Sequence, residues 1–199
     1  MVDPTDDSLF WQRFLSCAGH PLELDGIWGP KSKAAWEQFH AESIKRLSNA
    51  GLDERTFENC LTLMPAAQEK GSDFYNVANN EPSVTASGYV VKFISTTRTY
   101  EEQDALYAQG RTKPGPVVTN AKGGQSNHNF GVAWDIGLFL GGEYIDESPV
   151  YETLGKIGEK MGLVWGGSWQ FEDQPHYQIV QDSELSHIRA SFEAGKPFV

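Results

Sequence analysis

At 199 residues the chain has room for one medium domain, or for a small domain joined to a larger one. Hydrophobic residues make up 39% and aromatics 12%, with six Trp, which is enough apolar surface for a core and excludes a disordered chain. The formal net charge of −11, from 16 Lys and Arg against 27 Asp and Glu with no basic block, argues against nucleic acid as a partner and leaves recognition of any anionic wall or membrane to shaped sites.

The N-terminal run Met-Val-Asp-Pro-Thr-Asp-Asp is acidic, and no stretch approaches 18 apolar residues, so neither a secretory signal nor a membrane span is expected. The expectation is a protein made in the cytoplasm. Leu9, Phe10, Phe14 and Cys17 recur at helical spacing and predict a helix over 8–17, ended by His20-Pro21. Pro30 then stands where a second helix would start, with Trp36, Phe39 and Leu47 on one face. Asp53 is a good N-cap for a third, carrying Phe57, Cys60, Leu61 and Met64 before Pro65 stops it. The stretch from Gln68 to Ser87 is polar and turn-rich, and a domain boundary is placed at its start: a small all-α domain over 1–67, and a second domain over 68–199. The alternative is that residues 1–65 only complete the fold of the second part.

From Gly88 the texture changes. Tyr89 to Ile94 is β-branched and aromatic, as a strand should be, and Thr99 with Glu102 forms a capping box that opens a helix closed by Gly110. Val132–Phe139 reads as a buried strand. Ser148-Pro149 starts a helix to about Met161, Leu163–Trp165 and Tyr177–Val180 read as short strands, and 183–193 as a closing helix. Strands and helices that mix without regular βαβ alternation predict an α+β domain with a mainly antiparallel sheet.

Chemistry concentrates in two stretches. Ser126–Asp135 places His128 in a Gly-containing loop and Asp135 seven residues later, between Trp134 and Ile136. An ionised carboxylate in so apolar a setting costs several kcal/mol unless a charge or metal compensates. Trp165–His176 brings a second imidazole to the start of a strand. Two His and one Asp are the ligand count of a catalytic zinc, which keeps a fourth position for water. A general base is then needed within hydrogen-bond reach, and Asp173 is the leading candidate because a turn at Gln174-Pro175 aims it beside His176; Glu172 competes. Arg98, at the end of a strand, is the candidate partner of a developing oxyanion.

The bland readings are specific too. A lone His is more often structural than a ligand, and only the conjunction of His128 with Asp135 and His176 changes that balance. His20, His40 and His187 have no comparable setting. Trp165 and Trp169 serve either as core or as a groove wall. Cys17 and Cys60 lie far apart without a C-x-x-C pattern, which makes free, partly buried thiols the expectation and leaves a disulfide open.

Residues 88–181 resemble the peptidoglycan L-alanyl-D-glutamate endopeptidases and their relatives, the D-Ala-D-Ala carboxypeptidases and dipeptidases. The resemblance rests on Arg98, Gln103, Leu106–Thr112, the S-x-H-x-x-G-x-A-x-D pattern from Ser126 to Asp135, and D-x-P-H from Asp173 to His176. It implies a Hedgehog/DD-peptidase-like fold, one Zn2+ held by His128, Asp135 and His176, Asp173 as catalytic base and Arg98 on the substrate carbonyl. Ser126 and Gln103 carry over as substrate-binding residues. The Leu-Tyr-Ala-Gln-Gly-Arg-Thr run is closer to the endopeptidases, which implies cleavage between L-Ala and D-Glu. Residues 25–39 are similar to three-helix peptidoglycan-binding modules, and the whole arrangement resembles a phage endolysin acting as a monomer on bacterial peptidoglycan. A non-catalytic binding protein with a structural zinc is the alternative from another class.

Overall fold

The computed structural model describes residues 3–199; the first two residues of the acidic N-terminal run lie outside it. The chain begins with α1 (Ser8–Cys17), capped by the Asp7 side chain, and α2 (Pro30–Leu47), which has Pro at its first position. The loop between them is held from below by Gln12, whose amide bonds Asp25, Ile27 and the Gly26 N–H. α3 (Glu54–Cys60) is capped by Asp53 as its sequence predicts.

The next segment differs from expectation. Pro65 starts a helix instead of only stopping one: α4 (Pro65–Asn79) and α5 (Pro82–Ala86) occupy the stretch read as turn-rich. The exposed polar residues of α4 hide a stripe of Ala67, Gly71, Phe74, Tyr75 and Ala78 that faces the core. Gly71 is there because of a close approach, since a Cβ would stand 3.1 Å from the Phe93 ring.

β1 (Val90–Ser95), α6 (Tyr100–Ala108), β2 (Ala133–Leu140), β3 (Glu143–Ile145), α7 (Val150–Lys160), β4 (Val164–Trp165), β5 (His176–Gln178) and α8 (Leu185–Glu193) complete the α+β fold. The sheet is antiparallel in the order β1-β2-β5-β4, with β3 hairpinned onto the far end of β2 through Gly141-Gly142, both at positive φ as a tight primed turn requires.

Strand alternation then divides the sheet into two faces. Phe93, Trp134, Ile136, Leu138 and Tyr177 point into a core shared with Leu47, Cys60, Phe74, Tyr151 and Leu154. A second cluster joins Phe10, Trp11, Phe14 and Leu15 of α1 to Phe130, Val132, Val180 and Phe192. Both clusters contain residues from either side of the boundary placed at 67/68. Among the described residues no helix is long and apolar enough to cross a membrane.

Candidate metal centre

Asp135 in β2 pairs directly with His176 in β5, so the two side chains leave the sheet on the same face, opposite Trp134 and Tyr177. His128 arrives from a 3₁₀ turn over Asn127–Phe130, capped by the Ser126 hydroxyl and by Asn129, and ended by Gly131 at φ 66°. Gly131 is obligatory twice over: its φ is left-handed, and a Cβ would meet the Phe14 ring at 2.7 Å. The turn that carries His128 thus rests on α1.

His128 Nε2, His176 Nδ1 and Asp135 Oδ1 converge. Nε2 to Nδ1 is 3.1 Å, Nε2 to Oδ1 is 3.1 Å and Nδ1 to Oδ1 is 3.2 Å. A tetrahedral ion with bonds of about 2.1 Å sets its donors roughly 3.4 Å apart, so the triangle is close to ligand spacing. The tautomers fit as well. His128 Nδ1–H donates to the Thr96 carbonyl at 2.6 Å, and His176 Nε2–H donates to Gln178 Oε1 at 2.9 Å. Each ring therefore presents an unprotonated nitrogen to the common point, the arrangement in which outer hydrogen bonds orient metal-binding imidazoles. This is the donor set of a catalytic zinc site, three protein ligands with a side open to a cleft of ≈ 350 Å³.

Burial lowers the His128 pKa to about 4, against the opposing pull of Asp135, and keeps its ring neutral. Burial alone would raise Asp135, but the imidazoles of His128 and His176 set against it outweigh that and hold the carboxyl well below its ordinary range. His176 is raised, because its bonds to Asp135 exceed the opposing effect of burial.

Arg98 lies on Asp135. Its guanidinium donates to Asp135 Oδ2 at 3.2 Å and to Gln103 Oε1 at 3.1 Å, which leaves Oδ1 facing the two imidazole nitrogens. Gln103 is fully buried and donates onward to the Ala121 carbonyl at 2.9 Å. It therefore meets the cleft through Arg98 and not by its own surface. Ser126 is half-buried and lines the cleft while capping the His128 turn.

Asp173 and His176 are joined by a turn in which the His176 N–H donates to the Asp173 carbonyl at 3.1 Å. Asp173 lines the same cleft as the three donors, and Glu172 lines only the neighbouring one. Loss of surrounding water and the negative charge of Asp135 raise the Asp173 pKa, with His176 and Arg98 opposing. Trp165 is buried and holds the Gln174 carbonyl at 2.8 Å, whereas Trp169 lies against the His176 ring at the cleft wall. Cys17 and Cys60 are free and sit in separate clusters.

Three supporting groups were not singled out in the sequence. The Thr96 acceptor is a backbone carbonyl. Gln178 and Asn127 are amides in one network: Asn127 Nδ2 donates to Gln178 Oε1 at 2.9 Å, and Gln178 Nε2 donates to Asp182 and Val180 at 2.8 Å. Only the two-residue spacing of Gln178 from His176 on one strand face pointed to it.

Residues 119–179 match a family model described as D-alanyl-D-alanine carboxypeptidase. The chain is 39% identical over 95 residues to the peptidoglycan L-alanyl-D-glutamate endopeptidase CwlK of Bacillus subtilis (strain 168), a match covering 42% of this chain and 56% of that protein. The chain thus spans little more than half the length of that curated relative. Among solved structures it is similar to the Serratia marcescens L-Ala D-Glu endopeptidase ChiX, at 19% identity and a TM-score of 0.44 over 67% of this chain and 95% of that one. A second is the vancomycin-resistance D,D-pentapeptidase VanY in complex with Zn(II), at 19% identity and a TM-score of 0.43 over 67% of this chain and 83% of that one. The segment that builds the metal centre is thus similar to D-alanyl-D-alanine carboxypeptidases.

Proposed function

We propose that this chain is a zinc-dependent endopeptidase that hydrolyses the L-Ala-D-Glu bond of peptidoglycan stem peptides. The observation that carries the reading is the open His128-Asp135-His176 triangle with Asp173 on the wall of the same cleft. Zinc in this site would supply Lewis acidity for the attacking water and the scissile carbonyl. Asp173, whose pKa is raised by loss of surrounding water and by Asp135, takes the proton from the attacking water and returns it to the leaving amine. Arg98 fixes the Asp135 carboxylate in one pose and presents a cation at the cleft, where oxyanion charge develops. His128 and His176 keep their remote protons on Thr96 and Gln178 throughout.

The choice of bond is supported by the relative from Bacillus subtilis. Trimming of terminal D-Ala is the second reading, favoured by the family match over 119–179. Digestion of purified peptidoglycan followed by mass spectrometry separates them. New amino-terminal D-Glu supports the endopeptidase, released D-Ala supports the carboxypeptidase, and intact stems with zinc bound leave a binding protein. An endolysin role is tested by the fall in turbidity of a bacterial suspension whose outer barrier has been opened.

A further inference from the structure

Between α3 and the end of β1 lies a second cavity of ≈ 410 Å³. It shares one wall residue with the metal cleft, Ile94. Ile94 sits where the pairing of β1 with β2 slips between Phe93 and Ser95, an irregularity that bends a strand and re-aims its side chains. The cavity floor is tied off. The Thr62 and Thr96 hydroxyls bond each other and the Asn59 carbonyl, each at 3.0 Å, and the carbonyl of the same Thr96 holds His128. The cavity and the metal centre therefore adjoin one hydrogen-bonded segment.

The rim is not tied off. Among the described residues, neither the Arg55 guanidinium nor the Glu58 carboxylate has an ion-pair or hydrogen-bond partner, although Arg55 leans over the Phe139 ring at 5.5 Å. Arg55, exposed at the cavity mouth and without a carboxylate partner, is open to a ligand. Three residues apart on α3, Arg55 and Glu58 present a cation and an anion on one side of the helix. A guanidinium recognises a carboxylate in two-pronged fashion, and a carboxylate recognises an ammonium.

We propose that this cavity is a second substrate subsite that takes an amino-acid group bearing both a free carboxylate and a free ammonium, such as the unlinked end of a diamino acid in a peptide stem. The inference rests on the peptidase reading above, and it gives α3 a direct part in substrate recognition.

The test is calorimetric titration of the zinc-loaded full chain with two stem peptides whose L-Ala-D-Glu amide is replaced by a non-hydrolysable methyleneamino link. One carries diaminopimelate with its far amino and carboxyl groups free; the other carries lysine, which lacks that carboxyl. Arg55→Ala is expected to weaken the first about tenfold, the worth of one charge-assisted hydrogen bond, and to leave the second unchanged. Glu58→Ala should weaken both, with zinc content unaltered in either variant. Equal binding of the diaminopimelate peptide by wild type and Arg55→Ala overturns the subsite, as does no binding to wild type. Hydrolysis of the natural stem, measured in parallel, separates the two claims: cleavage without dependence on Arg55 removes the subsite alone, and dependence on Arg55 without cleavage removes the peptidase reading alone.

Discussion

Gln178 is the residue through which the second imidazole is held, and its chemistry makes the role testable. It accepts the His176 Nε2 proton while its own amide protons are spoken for by Val180 and Asp182, so its orientation is fixed. Replacing Gln178 with Leu leaves a buried N–H unpaired and lets the ring turn. Zinc affinity, read by competition with a chelator, is expected to fall 10–100-fold, roughly the usual worth of such an outer partner. Gln178→Glu keeps an acceptor and should retain most of the affinity; equal affinity in Gln178→Leu would show that the network is ornamental. In the proposed mechanism Asp173 moves protons and holds no metal. Asp173→Ala should lower kcat by about 10²–10⁴-fold, the range of general-base catalysis, while zinc content stays at one per chain. Loss of zinc with activity would make Asp173 a ligand instead.

The turn from Asp173 to His176 is the element that brings the proposed base and the proposed ligand together, and it is packed on Gly166. A Cβ at Gly166 would stand 2.6 Å from the Asp173 carbonyl oxygen and 3.0 Å from the His176 Cβ. Gly166→Ala must therefore push the turn away from β4. The expected result is a fall in kcat of about 100-fold, the order that a 1 Å misplacement brings, with a melting temperature lowered by only a few degrees, which kinetics and calorimetry on one preparation would distinguish. Retained kcat would mean that the turn is carried by other contacts. The same element shows what sequence makes legible. Asp135 stands out because a carboxylate between Trp134 and Ile136 demands a partner, and His128, His176 and Asp173 because they complete a ligand set and a base around it, whereas Thr96 acts through a carbonyl that every residue has. α4 was obscured for a different reason. Gln68, Lys70, Ser72, Asp73, Asn76 and Asn79 dominate its composition, and Gly71 lowers its helix propensity, but Gly71 is required by the Phe93 ring and Phe74 supplies the burial. Tertiary packing overrode local preference there.

At the scale of the whole molecule, the question is whether residues 1–67 unfold apart from the metal centre. Phe14 rests on Gly131, the Met64 N–H donates to the Gly131 carbonyl at 2.8 Å, and Phe10 packs on Phe192. Removing the N-terminal helices would uncover Phe130, Val132 and Phe192, all buried. The two thiols report on this coupling because both belong to the first 67 residues and neither belongs to the site. Burial pushes Cys17 and Cys60 up to about 12 from an unfolded value of 9.0. A folded pKa above the unfolded one contributes stability that is complete below pH 9 and is lost as pH rises toward 12. The urea midpoint is therefore expected to hold steady up to about pH 9 and to fall above it. At pH 8 the native chain should resist a thiol reagent, since little thiolate forms in either cluster. In a urea series, thiol exposure and zinc release should then follow one transition with a common midpoint, as two shared clusters require. If both cysteines become reactive at a lower urea concentration than that at which zinc leaves, the N-terminal helices are a separate unit, and the support that α1 gives the His128 turn is dispensable.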